Sequence, residues 1–301
     1  MKKFNFITII LLILLIVVSL NVSADPSHPQ IIFKNLKIST SEYTDVSTNY
    51  PLYQIIDGDF STAWVFNEHE YNKEGKKQKI KTTIPRWIKV ESLNENKIKT
   101  IFIVNGYAKS RKLYNQNNII TQIKVKTLND YESGWLLDKS MEFQKIILNE
   151  PAKMVKLNIY KQIVGSKYYD TCISEIKILN ENNRNMLKNN NFFIYSESGE
   201  YPSYKIMEMK DMEVIYDPDS YGITEAGFSP LNDKLFLLYS EIDGSGFDIY
   251  NVETKEVNHY LEGKYVLDFH WINNTRVKVH YYEYNGDIFE PDKGNTIINI
   301  R

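Results

Sequence analysis

The chain is predicted to be all-β, and three observations carry that prediction. Short apolar and polar alternations of period two recur from Ile31 to Leu179; glycine-bearing turns separate many of them; and no long stretch of period 3.6 occurs. Short alternating runs divided by turn residues make antiparallel sandwiches, in which one face of each strand enters a core and the other meets water.

The elements follow in chain order. Ile55-Ile56-Asp57-Gly58-Asp59-Phe60-Ser61-Thr62-Ala63-Trp64 brings apolar residues into an Asp-Gly-Asp turn and then returns a tryptophan to the interior. Glycine there can adopt positive φ, and the carboxylates can accept from the loop's own amides. Strands are predicted at Trp87-Ile88-Lys89-Val90, Thr100-Ile101-Phe102-Ile103-Val104, Thr121-Gln122-Ile123-Lys124-Val125 and Met154-Val155-Lys156-Leu157-Asn158-Ile159. Asn105-Gly106, Ser133-Gly134 and Val164-Gly165-Ser166 are expected to form reversals. Tyr168-Tyr169-Asp170-Thr171-Cys172-Ile173-Ser174-Glu175-Ile176 reads as a polar loop feeding a strand that alternates through Ile178. Trp64, Trp87 and Trp135 are expected in the core.

Residues 180–198 are dense in asparagine and charge, so a linker is placed there, with Met186 and Leu187 compatible with one short helical turn. In residues 199–301, Phe228 to Leu238 aligns at an offset of 41 with Phe269 to Val279, and Asp243-Gly244 and Asn285-Gly286 follow the two copies. That offset lies in the range of propeller blades, but the tail holds too few blades to close a ring, leaving a smaller β sheet or sandwich with blade-like repeats.

At the N-terminus, Lys2 and Lys3 precede an apolar run from Ile7 to Leu20 and then Val22-Ser23-Ala24 before Asp25. This is the order of a signal peptide, so residues 1–24 are expected to be removed and the protein exported to the periplasm or medium; a retained signal anchor is the alternative. The net charge of −2 over 36 Lys and Arg and 38 Asp and Glu becomes −4 once Lys2 and Lys3 leave, which argues against nucleic acid as partner. The exception is the run Lys73, Lys76, Lys77, Lys79, Lys81 and Arg86, which fits either a solvated loop or a contact to anionic sugars or lipid headgroups. Cys172 is the only cysteine, so no intrachain disulfide forms, and it reads as a small buried residue.

Catalytic signatures are lacking. The five histidines form no zinc-spaced pair, Glu68-His69-Glu70 lacks a second histidine, no Gly-x-Ser-x-Gly elbow or phosphate loop occurs, and Asp217 with Asp219 reads as a turn. No catalytic residue is therefore assigned.

The Asp57 to Trp64 stretch, Asn105-Gly106-Tyr107-Ala108-Lys109-Ser110, and the Tyr168 to Ile176 stretch, in that order, resemble the glycan-binding domain of secreted bacterial NAD glycohydrolases. The resemblance runs from about Ile32 to Leu179. It implies a discoidin or galactose-binding jelly-roll sandwich over residues 31–179 and binding of a glycan or glycosylated surface without turnover. It implies glycan contacts from Tyr107, Lys109, Tyr114, Asn117, Tyr168, Tyr169 and Asp170, where aromatic faces meet sugar C–H surface and polar groups line the rim. It also implies calcium at Asp57, Asp59, Thr62 and Glu175, since a hard cation takes loop oxygens. Two departures stand out: a longer charged segment, Asn67 to Lys81, where a compact glycine-bearing loop is expected, and Ile119 after Asn117-Asn118 where an arginine is expected. The first tail copy resembles a blade of the propellers in periplasmic translocation proteins. Two other functions stay open: an envelope accessory protein that binds protein partners, and an enzyme whose tail is the catalytic domain.

Overall fold

A computed structural model describes residues 28–41, 50–66, 69–71, 77–79, 86–128, 132–188, 190–196, 204–217, 223–229, 231, 233–241, 244–261, 264–283 and 292–300. The expected signal peptide, Lys73, Lys76 and Lys81 of the lysine-rich run, and Asp219 lie outside them.

The regular structure of the described residues is almost entirely strand, in antiparallel sheets, and the chain divides into two compact units, 25–219 and 220–301. The first unit begins with β1 (Gln30–Ile32), β2 (Leu36–Thr40), β3 (Trp64–Phe66), β4 (His69–Tyr71) and β5 (Lys77–Lys79). It continues through β6 (Trp87–Ser92), β7 (Ile98–Asn105), a short α-helix α1 (Arg111–Gln116), β8 (Ile119–Thr127) and β9 (Glu132–Leu136). Then come β10 (Gln144–Ala152), β11 (Met154–Ile163), β12 (Thr171–Asn180), β13 (Phe192–Ser196), β14 (Tyr204–Glu208) and β15 (Val214–Tyr216).

Two sheets face each other: a nine-stranded sheet in the order β15-β14-β13-β1-β2-β6-β11-β8-β9 and a four-stranded sheet in the order β10-β7-β12-β3. Period-two alternation explains the filling. Ile38, Val90, Val125 and Leu157 point inward from the first sheet, Ile101, Ile103, Ile146, Ile176 and Ile178 from the second, and together they form one core. Trp64 is 2% exposed and packs at a tilt against Phe66 with 3.9 Å between ring centroids, as expected of a core tryptophan. Trp135 is half-buried against the same core, and Trp87, also half-buried, carries the Lys156 ammonium over its ring at 4.3 Å.

Two turn expectations change. Gly134 sits inside β9, opposite Lys124, because an edge strand tolerates a residue with no side chain to pack. Asn105-Gly106 is the exit of β7 into a long loop, where Gly106 takes φ +84° and bridges to Ile173.

The first unit also extends past the boundary expected at 180–198. β13 pairs with β1 in the register Ile31↔Tyr195 and Ile32↔Ile194, so residues beyond the asparagine-rich stretch complete the large sheet. Met186 and Leu187 are buried in the shared core without forming a helix; Asn185 bridges Leu179, and Asn35 Nδ2 donates to the carbonyl of Met186 at 2.9 Å. Local polarity misleads here because the asparagine side chains bond the backbone of their own turn: Asn180 Oδ1 accepts from the amides of Asn182 and Arg184.

The second unit holds β16 (Ile223–Phe228), β17 (Lys234–Glu241), β18 (Gly244–Asn251) and β19 (Val257–Tyr260) in one meander, and β20 (Tyr265–Asn273), β21 (Arg276–Glu283) and β22 (Asp292–Asn299) in another. The repeat maps onto corresponding hairpins, β16–β17 and β20–β21. Asp233 and Asn274, equivalent at the offset of 41, bond each other directly, Asn274 Nδ2 donating to Asp233 Oδ2 at 2.7 Å. Phe236, Phe247, Phe269, Val277 and Val279 form the core between the meanders. Two meanders of four and three strands do not make a closed propeller.

Candidate functional site

The loops that carry the expected site residues gather at one end of the sandwich. Strand pairing puts them there: the end of β7 bridges the start of β12 through Gly106↔Ile173, the start of β8 bridges it through Asn118↔Thr171, and β3 pairs with it as Cys172↔Val65. Hydrogen bonds then knit the loops. Gly106 N–H donates to the carbonyl of Cys172 at 2.8 Å, and Ala108 N–H to Ser174 Oγ at 2.8 Å. Asn118 Nδ2 donates to the carbonyl of Tyr169 at 2.6 Å, while its Oδ1 accepts from Gly165 N–H at 2.9 Å. Gly165 lies so close to the backbone of Gln116 and Asn117 that a Cβ would stand 2.3 Å from the Gln116 carbonyl oxygen, so only glycine fits.

Of the seven residues expected to touch a glycan, two are reassigned by burial. Tyr114 is fully buried: its hydroxyl donates to the carbonyl of Ser140 at 2.9 Å and lies 3.3 Å from Asn105 Oδ1, and burial pushes its pKa up to about 12. Its ring packs beneath Gly106, where an added Cβ would come within 2.6 Å of Cε2. Asn117 is buried at the end of α1, its Nδ2 donating to the carbonyl of Leu113 at 2.9 Å. Both hold the loop in place and cannot offer their side chains to a ligand in this conformation.

The other five stay at or near the surface. Tyr169 is 40% exposed, Lys109 is exposed, and Tyr107, Tyr168 and Asp170 are half-buried. Tyr107 meets Tyr50 edge to face at 6.3 Å, and burial raises its pKa. Lys109 lies close enough to Asp59 to help hold that carboxylate in its charged form, and Lys167 Nζ stands 4.7 Å above the Tyr168 ring.

Beneath the loops runs a buried polar network that no local motif announces. Asn105 is fully buried: Nδ2 donates to the carbonyl of Ile120 at 2.5 Å, and Oδ1 accepts from Gln144 Nε2 at 2.9 Å. Thr171 Oγ1 donates to Gln162 Oε1 at 2.6 Å, and Ser174 Oγ to the carbonyl of Gly106 at 3.0 Å. The preference of buried polar groups for partners marks Asn105 and Asn118 as loop organisers once their strands are known.

The acidic turn lies beside this end. Gly58 takes φ +76° and donates its N–H to Glu175 Oε2 at 2.8 Å, across 117 residues. Asp57 Oδ1 accepts from Asp59 N–H at 2.9 Å, and Asp59 accepts from the N–H and hydroxyl of Ser61 at 2.7 and 2.8 Å. The bonds from Ser61 hold Asp59 below the usual carboxylate range, whereas burial raises Asp57. Glu175, 5% exposed, is pushed by burial to about 8, with only the Gly58 and Ile176 amides opposing.

Calcium takes six to eight oxygens, many of them carbonyls. Among the described residues no group of three or more His, Cys, Asp or Glu side chains is arranged to hold a metal, so an ion here would depend on neutral oxygens. Thr62 Oγ1 lies 2.7 Å from both Asp57 Oδ2 and the carbonyl oxygen of Asp59, three oxygens sharing one hydroxyl proton, with Glu175 next to Asp57.

Cys172 is buried and packs with Ala63 and Val65, as a small apolar residue would. Asp217 pairs with Lys205 at 4.0 Å. A groove of about 580 Å³ lies at the opposite end of the sandwich, lined by Lys97, Leu148, Pro151 and Lys153 among others, and it contains none of the expected site residues.

Comparison with known proteins finds distant structural neighbours and one matching family. A family 32 carbohydrate-binding module of C. perfringens NanJ, solved with galactose, is 16% identical, covers 50% of this chain and 98% of its own, and superposes with a TM-score of 0.34. Another such module, from a family 31 glycoside hydrolase of Clostridium perfringens, is 13% identical over 53% of this chain and 95% of its own, with a TM-score of 0.34. The family 32 module of Streptococcus pneumoniae EndoD is 9% identical over 49% and 97%, with a TM-score of 0.35. No curated protein matches the chain. Residues 30–179, about half of the chain, match the family described as the NAD glycohydrolase translocation F5/8 type C domain, and to that discoidin-like family this segment belongs.

Proposed function

We propose that the protein is an exported glycan-binding protein that acts without turnover, and that its ligand sits on the loop end of the first unit against Tyr169, Lys109, Tyr168, Tyr107 and Asp170. The observation that carries this reading is the contrast between surface and support: exposed aromatic and charged side chains stand on loops whose backbones are fixed by Asn118, Ser174, Gly106 and the buried Asn105 network. Preorganised loops limit the ordering entropy lost on binding, and tyrosine faces suit the C–H surface of a sugar.

Calcium belongs to this proposal as a support of the neighbouring loop. Asp57, Asp59, Thr62 and Glu175 would hold the ion, which would supply the positive charge that the buried Glu175 carboxylate otherwise lacks. Export rests on the leader-like N-terminal residues; among the described residues no helix is long and apolar enough to cross a membrane. A glycan array probed with the protein and with Tyr169→Ala and Lys109→Ala tests the reading. Selective binding by the parent, weakened in both variants at unchanged melting temperature, supports it; binding that ignores both substitutions contradicts the placement.

A further inference from the structure

The outer face of the four-stranded sheet carries a second surface that the loop-end site does not use. On β10, β7 and β12 the core-facing residues Ile146, Ile101, Ile103, Ile176 and Ile178 alternate with Lys145, Ile147, Phe102 and Lys177, which point away from the core. Register places Lys145 and Lys177 directly opposite Phe102 on its two sides, with their ammonium groups 5.8 and 6.0 Å from the centroid of its ring. Phe143, just before β10, meets Phe102 at 6.1 Å and Phe60, from the Asp-Gly-Asp turn, at 5.3 Å, both edge to face. Phe60 and Phe143 remain 37% and 40% exposed, and Ile147 extends the patch at 40%. Among the described residues neither Lys145 nor Lys177 pairs with a carboxylate.

We infer that this face binds an acidic polysaccharide, its uronate-type carboxylates meeting Lys145 and Lys177 and its sugar C–H faces resting on Phe143 and Phe60. Two features select that chemistry. The two lysines rise from strands two spacings apart, about 10 Å between their backbones, on either side of Phe102, so a polymer that repeats carboxylate and ring can engage both at once. The rings also lie along a sheet face, whereas a membrane-inserting surface projects its apolar side chains into the lipid boundary. Lysines so exposed attract their ligand chiefly by charge, and that attraction weakens with salt.

Gel-retardation electrophoresis with polygalacturonate, and with the same polymer highly methyl-esterified, tests the inference. The parent should be retarded by the acidic polymer and little by the esterified one, and retardation should fall at least about fivefold in Lys145→Gln/Lys177→Gln and in Phe143→Ala. Tyr169→Ala should be retarded like the parent, which separates this surface from the loop-end site. The lysine double variant alters only exposed side chains and reads the outcome even if Phe143→Ala folds poorly. No retardation of the parent, equal retardation by the esterified polymer, or retardation unchanged in the lysine variant overturns the inference. So does co-sedimentation with phosphatidylglycerol vesicles that depends on the two lysines while polygalacturonate has no effect.

Discussion

Glu175→Gln isolates the consequence of burying one carboxyl group. In the folded protein Glu175 is 5% exposed with its pKa pushed up to about 8, against an ordinary value of 4.5. An acid whose folded pKa is raised stabilises the fold fully below its unfolded pKa, loses that contribution as pH rises between the two values, and has lost all of it above the folded one. At about 1.4 kcal/mol per pH unit, the interval amounts to about 5 kcal/mol, or roughly 10 to 20 °C in melting temperature for a unit of this size. Glutamine keeps an oxygen for the Gly58 amide but cannot ionise. Thermal melts of parent and variant from pH 4.5 to 9 in chelator should therefore diverge: the parent falls across the window, and the variant stays nearly level from this source. Calcium, if held, should restore the parent most at pH 8 to 9, where it favours the ionised form, by about 2.7 kcal/mol at 100 times its dissociation constant. Parallel pH curves for the two proteins would refute the buried-carboxyl reasoning. Superimposable curves in calcium and chelator would refute the metal.

Other expectations follow from packing and backbone geometry. Trp64→Ala should destabilise the first unit by about 3 to 5 kcal/mol, as loss of a buried aromatic does, measured by denaturant unfolding. Gly106→Ala combines positive φ with a Cβ 2.6 Å from the Tyr114 ring, so it should lower stability by about 2 kcal/mol or more and weaken glycan binding through the loop. Tyr114→Phe leaves the Ser140 carbonyl without its hydroxyl donor and should reduce stability by about 1 to 2 kcal/mol, with the melting temperature as readout. Intact-mass analysis of protein from its native source should give a chain beginning at Asp25; a mass retaining residues 1–24 would contradict export by cleavage.

How far the fold was legible in the sequence depended on the range of the contacts that decide it. Strands β6, β7, β8, β11 and β12 lie where period-two alternation put them, because alternation directly records one buried and one solvated face. The Asp-Gly-Asp turn was legible too, since its carboxylates bond amides only two residues away. Long-range contacts were not. Nothing near Phe193 and Tyr195 signals that they extend the sheet beside β1, and the asparagines before them look solvated although they close a compact turn over buried Met186 and Leu187. Tyr114 and Asn117 carry the residue types of a sugar site, but which face of α1 they occupy follows from packing and not from composition. Phe60, Phe143 and Phe102 come from three distant segments, and only strand register makes them one surface. In the tail, the equivalence of Asp233 and Asn274 was visible as a repeat, while the hydrogen bond between them required the fold.

The central claim, that the loop end binds a glycan through exposed residues on fixed loops, is tested most directly by titrating the best ligand from a glycan array into the parent and into Tyr169→Ala/Lys109→Ala by calorimetry. Losing both the tyrosine face and the ammonium should weaken binding at least about tenfold, equivalent to about 1.4 kcal/mol, with melting temperature and polygalacturonate retardation unchanged. Equal affinity in parent and variant would contradict the claim, as would a parent that binds no glycan on the array.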